Sequence, residues 1–303
     1  MKVLNKIKEY LSLINSIDNR LEKIQIGLAR IEGRQIAHSN VTSLPKAEFQ
    51  VFSQWGEDGI IELLRNKIEV TTKSFVEFGV QDYRESNTRY LLVNDNWSGL
   101  VIDGSLENIE YIKKDPIYWK YNLKAECAFI TKENINHLLE KSGVGGEVGL
   151  LSIDIDGNDY WVWQSIDAVN PSIVVCEYNS LWGPTRSVTT PYDASFVRTQ
   201  KHYSDLYYGA SIKALSELGL SKGYSLVGSN SAGNNAFFVR RDLLGDLLPI
   251  APEEAWVKSN FRESKDCSGK LTYLGFEDRR ELISEMPLVD LHTMQTIRVR
   301  DLE

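Results

Sequence analysis

Two short acidic runs carry the densest polar chemistry in this sequence: LLSIDIDGNDYWVW at 150–163 and VVCEYN at 174–179. Each begins as an apolar strand and ends in oxygen-bearing side chains. Asp154 and Asp156 stand two positions apart, as do Glu177 and Asn179, so each pair projects from one face of an extended segment. If the two strands are parallel neighbours, all four side chains meet at one rim of a sheet. Buried carboxylates are costly without compensation, so such a cluster needs a cation or dense hydrogen bonding. Oxygen-only ligands suit Mg2+, Mn2+ or Ca2+ rather than zinc. The same acids could instead cap the following helix and pair with arginines. Asp-x-Asp is also the element with which many glycosyltransferases hold a nucleotide-sugar metal.

Two earlier strand ends supply a second kind of chemistry. In VEFGVQDYRESNT (76–88), Gly79 lets the backbone approach a ligand and Glu77 can meet an ammonium group. In LVIDGS (100–105), Asp103 lies 24 positions after Gly79, where an acid accepts hydrogen bonds from two ribose hydroxyls. The bland alternative for Asp103 is a turn or N-cap aspartate before Gly104. Of four histidines, His202 lies in the aromatic insertion TQKHYSDLYYGAS, where a near-neutral imidazole could take a hydroxyl proton. TTPYD, Tyr203, Tyr207 and Tyr208 would give that insertion aromatic surfaces suited to sugar faces.

The elements that must position these residues are legible. Strand-like runs at 73–79, 98–103, 125–130, 148–154 and 172–178 alternate with helical patterns at 55–68, 86–94, 105–114, 132–141 and 159–167. Alternation of this kind predicts an α/β fold, a parallel sheet with helices on both faces. After a helix at 210–221, strands at 224–228 and 236–241 are separated by only seven residues, SNSAGNN. That gap is too short for a crossover helix, so the last two strands should form an antiparallel hairpin. Residues 49–241 are thus read as the α/β domain and 242–303 as an extension packing on its core.

Residues 1–33 read as a separate helix. With Val3, Tyr10, Ile17, Ile24 and Ile31 as d positions, Ile7, Ile14, Leu21 and Leu28 fall at a, an unbroken apolar seam. That regularity predicts a coiled coil and a homo-oligomer, with dimer, trimer and tetramer all open. Gly33 should end the helix, and 34–48, containing Pro45, reads as a linker.

The composition is that of an ordinary globular chain: 303 residues, 42% hydrophobic and 25% charged, with a net charge of −8. The acidic balance argues against nucleic acid as the main partner. No apolar run reaches the roughly 20 residues of a membrane span, and no signal-peptide core is evident. Three cysteines without a CxxC pair suit a reduced, cytoplasmic protein.

Five alternating strands closed by a hairpin resemble the Rossmann-like sheet of class I S-adenosylmethionine-dependent methyltransferases. The Glu77-x-Gly79 start is similar to their first motif, although Val80, Asp82 and Tyr83 replace part of its glycine run. The order SQWGEDG, EFG, DGS, LLSIDIDGNDYW, CEYN, NAFFVRR over 53–241 resembles an FkbM-like methyltransferase. The resemblance implies S-adenosyl-L-methionine as cofactor and a sugar hydroxyl, in a surface glycan or natural product, as acceptor. It implies Gln54, Glu77, Gly79, Asp103, Ala128, Phe129 and Asp154 at the cofactor, with Ala128 and Phe129 near the adenine. It also implies Mg2+ or Mn2+ held by Asp156 and Glu177, with Asn179 completing either site. Asp156 and His202 are the catalytic candidates. Two rival readings are a catalytically silent module assembled through its coiled coil, and a metal-dependent glycosyltransferase.

Overall fold

The structure, a computed structural model, describes residues 2–39, 41–261 and 263–302. Ten strands are present among them: β1 (Ser74–Phe78), β2 (Ser98–Asp103), β3 (Leu123–Cys127), β4 (Gly146–Ile153), β5 (Val169–Glu177), β6 (Val188–Thr189), β7 (Tyr224–Ser229), β8 (Asn235–Arg240), β9 (Pro287–Asp290) and β10 (Gln295–Arg298). Seven of them make one sheet in the order β3-β2-β1-β4-β5-β8-β7. The first five are parallel to their neighbours; β8 runs antiparallel to both β5 and β7. This is the Rossmann-like sheet of class I methyltransferases, closed by the hairpin that the seven-residue gap requires. The order reverses between β1 and β4, and the carboxyl ends there form a crevice in which α/β sheets bind ligands.

The central strands are apolar because both faces are covered. On one side lie α1 (Lys2–His38), α2 (Glu57–Lys67), α3 (Arg89–Asp95), α4 (Leu106–Lys114) and α5 (Pro116–Lys120). On the other lie α6 (Ile135–Lys141), α7 (Asp159–Ser165) and, beyond the short α8 (Arg198–Lys201), α9 (Ile212–Ser221). Leu150, Ile173 and Phe237 point to the first core, and Leu151, Val174 and Phe238 to the second, following the two-residue strand period.

Two local features differ from expectation. Helix α1 does not stop at Gly33 but continues to His38. A side chain at position 33 would press on Glu62 of α2, with its Cβ 3.2 Å from Glu62 Cγ, so this glycine is a contact point inside a helix. Ile26, Ala29 and Ile36 line the same buried stripe. Burying each isoleucine supplies about 2 kcal/mol, which offsets the roughly 1 kcal/mol cost of an internal glycine. The seam residues from Ile7 to Ile31 occupy the opposite, exposed face. Val3, the first of the seam, lies outside the described side chains.

The second difference concerns the tail. Residues 242–303 do not only pack on the core: β9 and β10 form a hairpin whose β9 pairs antiparallel with β6 of the insertion. Arg186 in the insertion donates to Asp290 in the tail at 2.7 Å. The tail thereby clamps the segment from which α8 overhangs the crevice.

Candidate active site

Three cavities open along the carboxyl ends of β1, β2, β3 and β4. The first, about 100 Å³, is lined by Gln54, Glu57, Glu77, Gly79, Asn87 and Asp154 among others. The second, about 160 Å³, is lined by Gly79, Asp103, Ala128, Phe129, Asp154 and Asp156 among others. Both share Gly79, Gln81 and Asp154, so they are two halves of one crevice. The third, about 360 Å³, meets the second at Phe129, Ile155, Asp156 and Phe196 and continues to Arg198 and Glu263.

Gly79 sits where the first two cavities meet. Its φ is +71°, and a Cβ there would fall 1.6 Å from the Asp154 carbonyl oxygen, so only glycine fits. The loop beyond it lacks further glycines yet still enters the left-handed region, at Gln81 (φ +48°) and Tyr83 (φ +63°). Tyr83 is held there by complete burial and a 2.9 Å bond between its hydroxyl and that of Thr88. Backbone strain of this sort persists only where the surroundings fix it.

Glu77 and Asp103 hold this loop from either side. Glu77 Oε1 accepts the Asn87 N–H at 2.8 Å, and Oε2 accepts the Thr88 N–H and hydroxyl. Burial nevertheless pushes the Glu77 carboxyl up to about 7, against those three donors. Asp103 Oδ2 accepts the Gln81 N–H at 2.7 Å, while Oδ1 accepts from Ser105 N and Asn108 Nδ2. Asp103 is therefore both a wall of the second cavity and the acceptor that fixes the glycine loop. Phe129 exposes its ring to the second and third cavities.

The segment SQWGEDG frames the first cavity. Asp58 Oδ2 gathers the N–H groups of Val51, Phe52 and Ser53 at 2.7 to 2.9 Å, and burial lifts its carboxyl to about 6. Glu57 Oε1 accepts from Asn230 and Asn235, tying the segment to the terminal hairpin. Gln54 lies in the turn before α2 rather than inside the helix, at the mouth of the first cavity.

The acidic cluster differs from its sequence reading in membership. Asp154, Asp159 and Glu177 bring one carboxylate oxygen each within 4.8 Å of one another. Glu177 is 6% exposed, and its Oε2 has no hydrogen-bond partner, so a buried acceptor is left unsatisfied in a residue of the cluster. Burial, and then the neighbouring charges, raise both Asp154 and Glu177 well above the usual carboxylate range.

Asp156 and Asn179 do not join that set. At φ +57° the Asp156 side chain turns outward and accepts from Arg198 at 2.6 Å. Asn179 spends its amide on the Leu206 and Tyr208 carbonyls, and its Oδ1 caps the next turn at Leu181 N. It is a backbone clasp, with no atom to offer a metal. Asp159 enters instead, as the first residue of α7, accepting from Ile155 N and Gly157 N. Burial raises it to about 6.

The insertion contributes an unexpected residue. Arg198 lies over the Tyr208 ring at 3.8 Å and bonds Asp156, Glu263 and the Asp205 carbonyl. Burial would lower its pKa, but Tyr208, Asp156, Glu177 and Glu263 hold it above the usual arginine value. His202, four positions on, bonds Ser204 and stacks on Tyr203, and burial lowers its pKa. It is not among the residues lining the three cavities. Tyr207 and Tyr208 are core residues rather than open sugar platforms, and Phe129 and Phe196 are the aromatic walls.

No family model matches the chain, and no curated protein matches it. Solved structures do match. The chain is similar to the CurJ carbon methyltransferase at 9% identity and a TM-score of 0.39, over 60% of this chain and 52% of that one. It thus spans about half the length of that protein. It is similar to the O-methyltransferase from Bacillus cereus in complex with SAH at 12% identity and a TM-score of 0.39, covering 69% and 88%. A third is the N-terminal domain of EvdMO1 with SAH bound, at 11% identity and a TM-score of 0.39, covering 69% and 94%. The assignment of fold rests on strand order and the antiparallel β8 in this chain itself.

Proposed function

We propose that this protein is an S-adenosylmethionine-dependent O-methyltransferase acting on a sugar hydroxyl. One observation carries the reading: two half-cavities meet at Gly79, Gln81 and Asp154, on the switch point of a methyltransferase-type sheet. Asp103, Ala128 and Phe129 would hold the adenosine of the cofactor, Phe129 offering a ring face and Asp103 an acceptor for a ribose hydroxyl. Gln54, Glu77 and Asn87 would hold its methionine part, and Gly79 and Asp154 join the two halves.

The larger third cavity receives the acceptor. Its walls combine the rings of Phe129 and Phe196 with Asp156, Asp205, Glu263 and Arg198. Flat apolar faces together with fixed carboxylates and a guanidinium suit a ring bearing several hydroxyls. Asp156 borders both the adenosine half and this cavity, so it is the carboxylate assigned to accept the reacting hydroxyl's proton. S-adenosylmethionine held there would supply the methyl group to the acceptor oxygen and leave as S-adenosylhomocysteine, with the hydroxyl proton going to Asp156. Alignment of the two reactants carries most of the acceleration.

Asp154, Asp159 and Glu177 fit a hard divalent cation, Mg2+ or Mn2+, because the orphaned Glu177 Oε2 is a buried acceptor in need of a donor or a metal. Such a cation would lower the pKa of a hydroxyl touching it. Arg198 orients Asp156, and the clamp between β6 and β9 keeps α8 over the cavity. No helix among the described residues is long and apolar enough to cross a membrane. Three free cysteines support a reducing, cytoplasmic setting, and surface glycan or natural-product assembly is the pathway class proposed.

The test separates the two halves of the reading. Asp103→Ala should weaken S-adenosylhomocysteine binding, whereas Asp156→Ala should remove turnover with a much smaller effect on that binding. Equal loss of binding in both, or full turnover in Asp156→Ala, contradicts these roles. The silent-module reading draws on the small first cavity and predicts no heat with the cofactor at all.

A further inference from the structure

Helix α1 has two apolar faces, and the domain uses only one. Ile26, Ala29, Gly33 and Ile36 are buried against the domain, fixed in place by a 2.6 Å bond from Arg30 Nε to Asn94 Oδ1. In heptad terms these are the b and f positions, diametrically opposite the seam. Along that seam Ile7, Tyr10, Ile14, Ile17, Leu21, Ile24, Leu28 and Ile31 each leave between 47% and 58% of their surface exposed. A single patch of this kind removes roughly 700 Å² per chain when covered, about one partner's share of a standard interface. It exceeds the apolar patch usual on a monomer.

We infer that further copies of this chain cover the seam, in a parallel bundle of more than two strands. Three observations commit to that occupant. The 4-3 spacing is the pattern of a helix that packs on helices like itself. The charged g positions are all basic (Lys6, Arg20, Arg34) and the charged e positions all acidic (Asp18, Glu32). Parallel strands bring g against e and keep opposite signs together; antiparallel strands set g on g and e on e, like on like. Ile14 with Ile17 puts isoleucine at both a and d in one heptad, and Leu21 with Ile24 and Leu28 with Ile31 put leucine at a and isoleucine at d in the next two, a pattern that disfavours a two-stranded coil. Leu13, a g residue 57% exposed, widens the apolar face on the flank a larger bundle buries. Because the domain occupies b and f, the e and g flanks that such a bundle needs stay open.

Light scattering on the full chain tests this. The expected mass is three or four times the 34.5 kDa of one chain; a mass of one or two chains overturns the inference. The paired substitution Ile17→Glu with Ile24→Glu should return the protein to a single chain. Its urea midpoint should stay near that of the dissociated parent, since neither side chain touches the domain. An unchanged mass in that variant also overturns it. Orientation is read by oxidising Tyr10→Cys or Ile31→Cys beside the parent, which controls for the exposed Cys127 and Cys267. Parallel strands give self-linked chains from each variant alone, and antiparallel strands give links only when the two variants are mixed.

Discussion

Glu77 is where burial and hydrogen bonding compete most openly, and glutamine at that position decides between them. The carboxyl is buried at the carboxyl end of β1 and accepts three donors, yet sits near 7 instead of its ordinary 4.5. The folded protein therefore keeps a proton there that the unfolded chain has already lost. The stability this supplies is fully present below pH 4.5 and disappears as pH rises through about 7. At about 1.4 kcal/mol per pH unit, the loss between those values is about 3 kcal/mol. Glutamine cannot ionise, so Glu77→Gln should remove that slope whatever constant offset it adds. The buried Asp159, near 6, titrates in both proteins and cancels in the comparison. Urea unfolding at several pH values from 5 to 8 gives the two curves. They should converge or cross, with the variant's relative stability rising by about 2.5 kcal/mol between pH 5 and pH 8. Parallel curves would refute the reasoning, and would mean that the Asn87 and Thr88 donors outweigh burial.

Three further outcomes follow from the same geometry. Gly79→Ala places a methyl group against the Asp154 carbonyl at a positive φ, and should cost about 2 kcal/mol or more in urea unfolding; an unshifted midpoint would show that the two strand ends can part freely. Arg198→Met should lower acceptor kcat/KM at least tenfold while S-adenosylhomocysteine binds within about twofold of the parent, because Arg198 lines the third cavity and not the first two. A matching loss of cofactor affinity would place Arg198 elsewhere in the mechanism. Chelation of divalent cations should abolish turnover, with Mg2+ restoring the parent but not Glu177→Gln; turnover untouched by chelator would remove the cation from the scheme.

The sheet was legible because its signals are local. Apolar runs mark buried strands, and the seven-residue gap before Ala236 leaves no room for a crossover. The hairpin's direction follows from chain length alone. Gly33 misled because a glycine's preference for helix ends is weak beside a close contact with Glu62, which no local pattern reveals. The β9–β10 hairpin was missed for a related reason: its partner, β6, is two residues long and lies about a hundred positions away.

At the site, the acids were visible but their assignment was not. The two-residue spacing placed Asp154 and Asp156 on one face, which holds only while the backbone stays extended. It turns left-handed at Asp156 and sends that side chain to Arg198. Asp159 then takes the place in the cluster, and its only advance signal was its position at the start of a helix. Asn179 looked like a ligand, yet the carbonyls of Leu206 and Tyr208, some thirty residues away, claim it. Arg198 carried no signal beyond its neighbourhood of tyrosines, four positions from the more conspicuous His202.

The most direct measurement is calorimetric titration of the full chain with S-adenosylhomocysteine. One binding event per chain is expected, with a micromolar Kd that weakens at least tenfold in Asp103→Ala. No heat from the parent at millimolar ligand, with the protein shown folded by its urea transition, would contradict it.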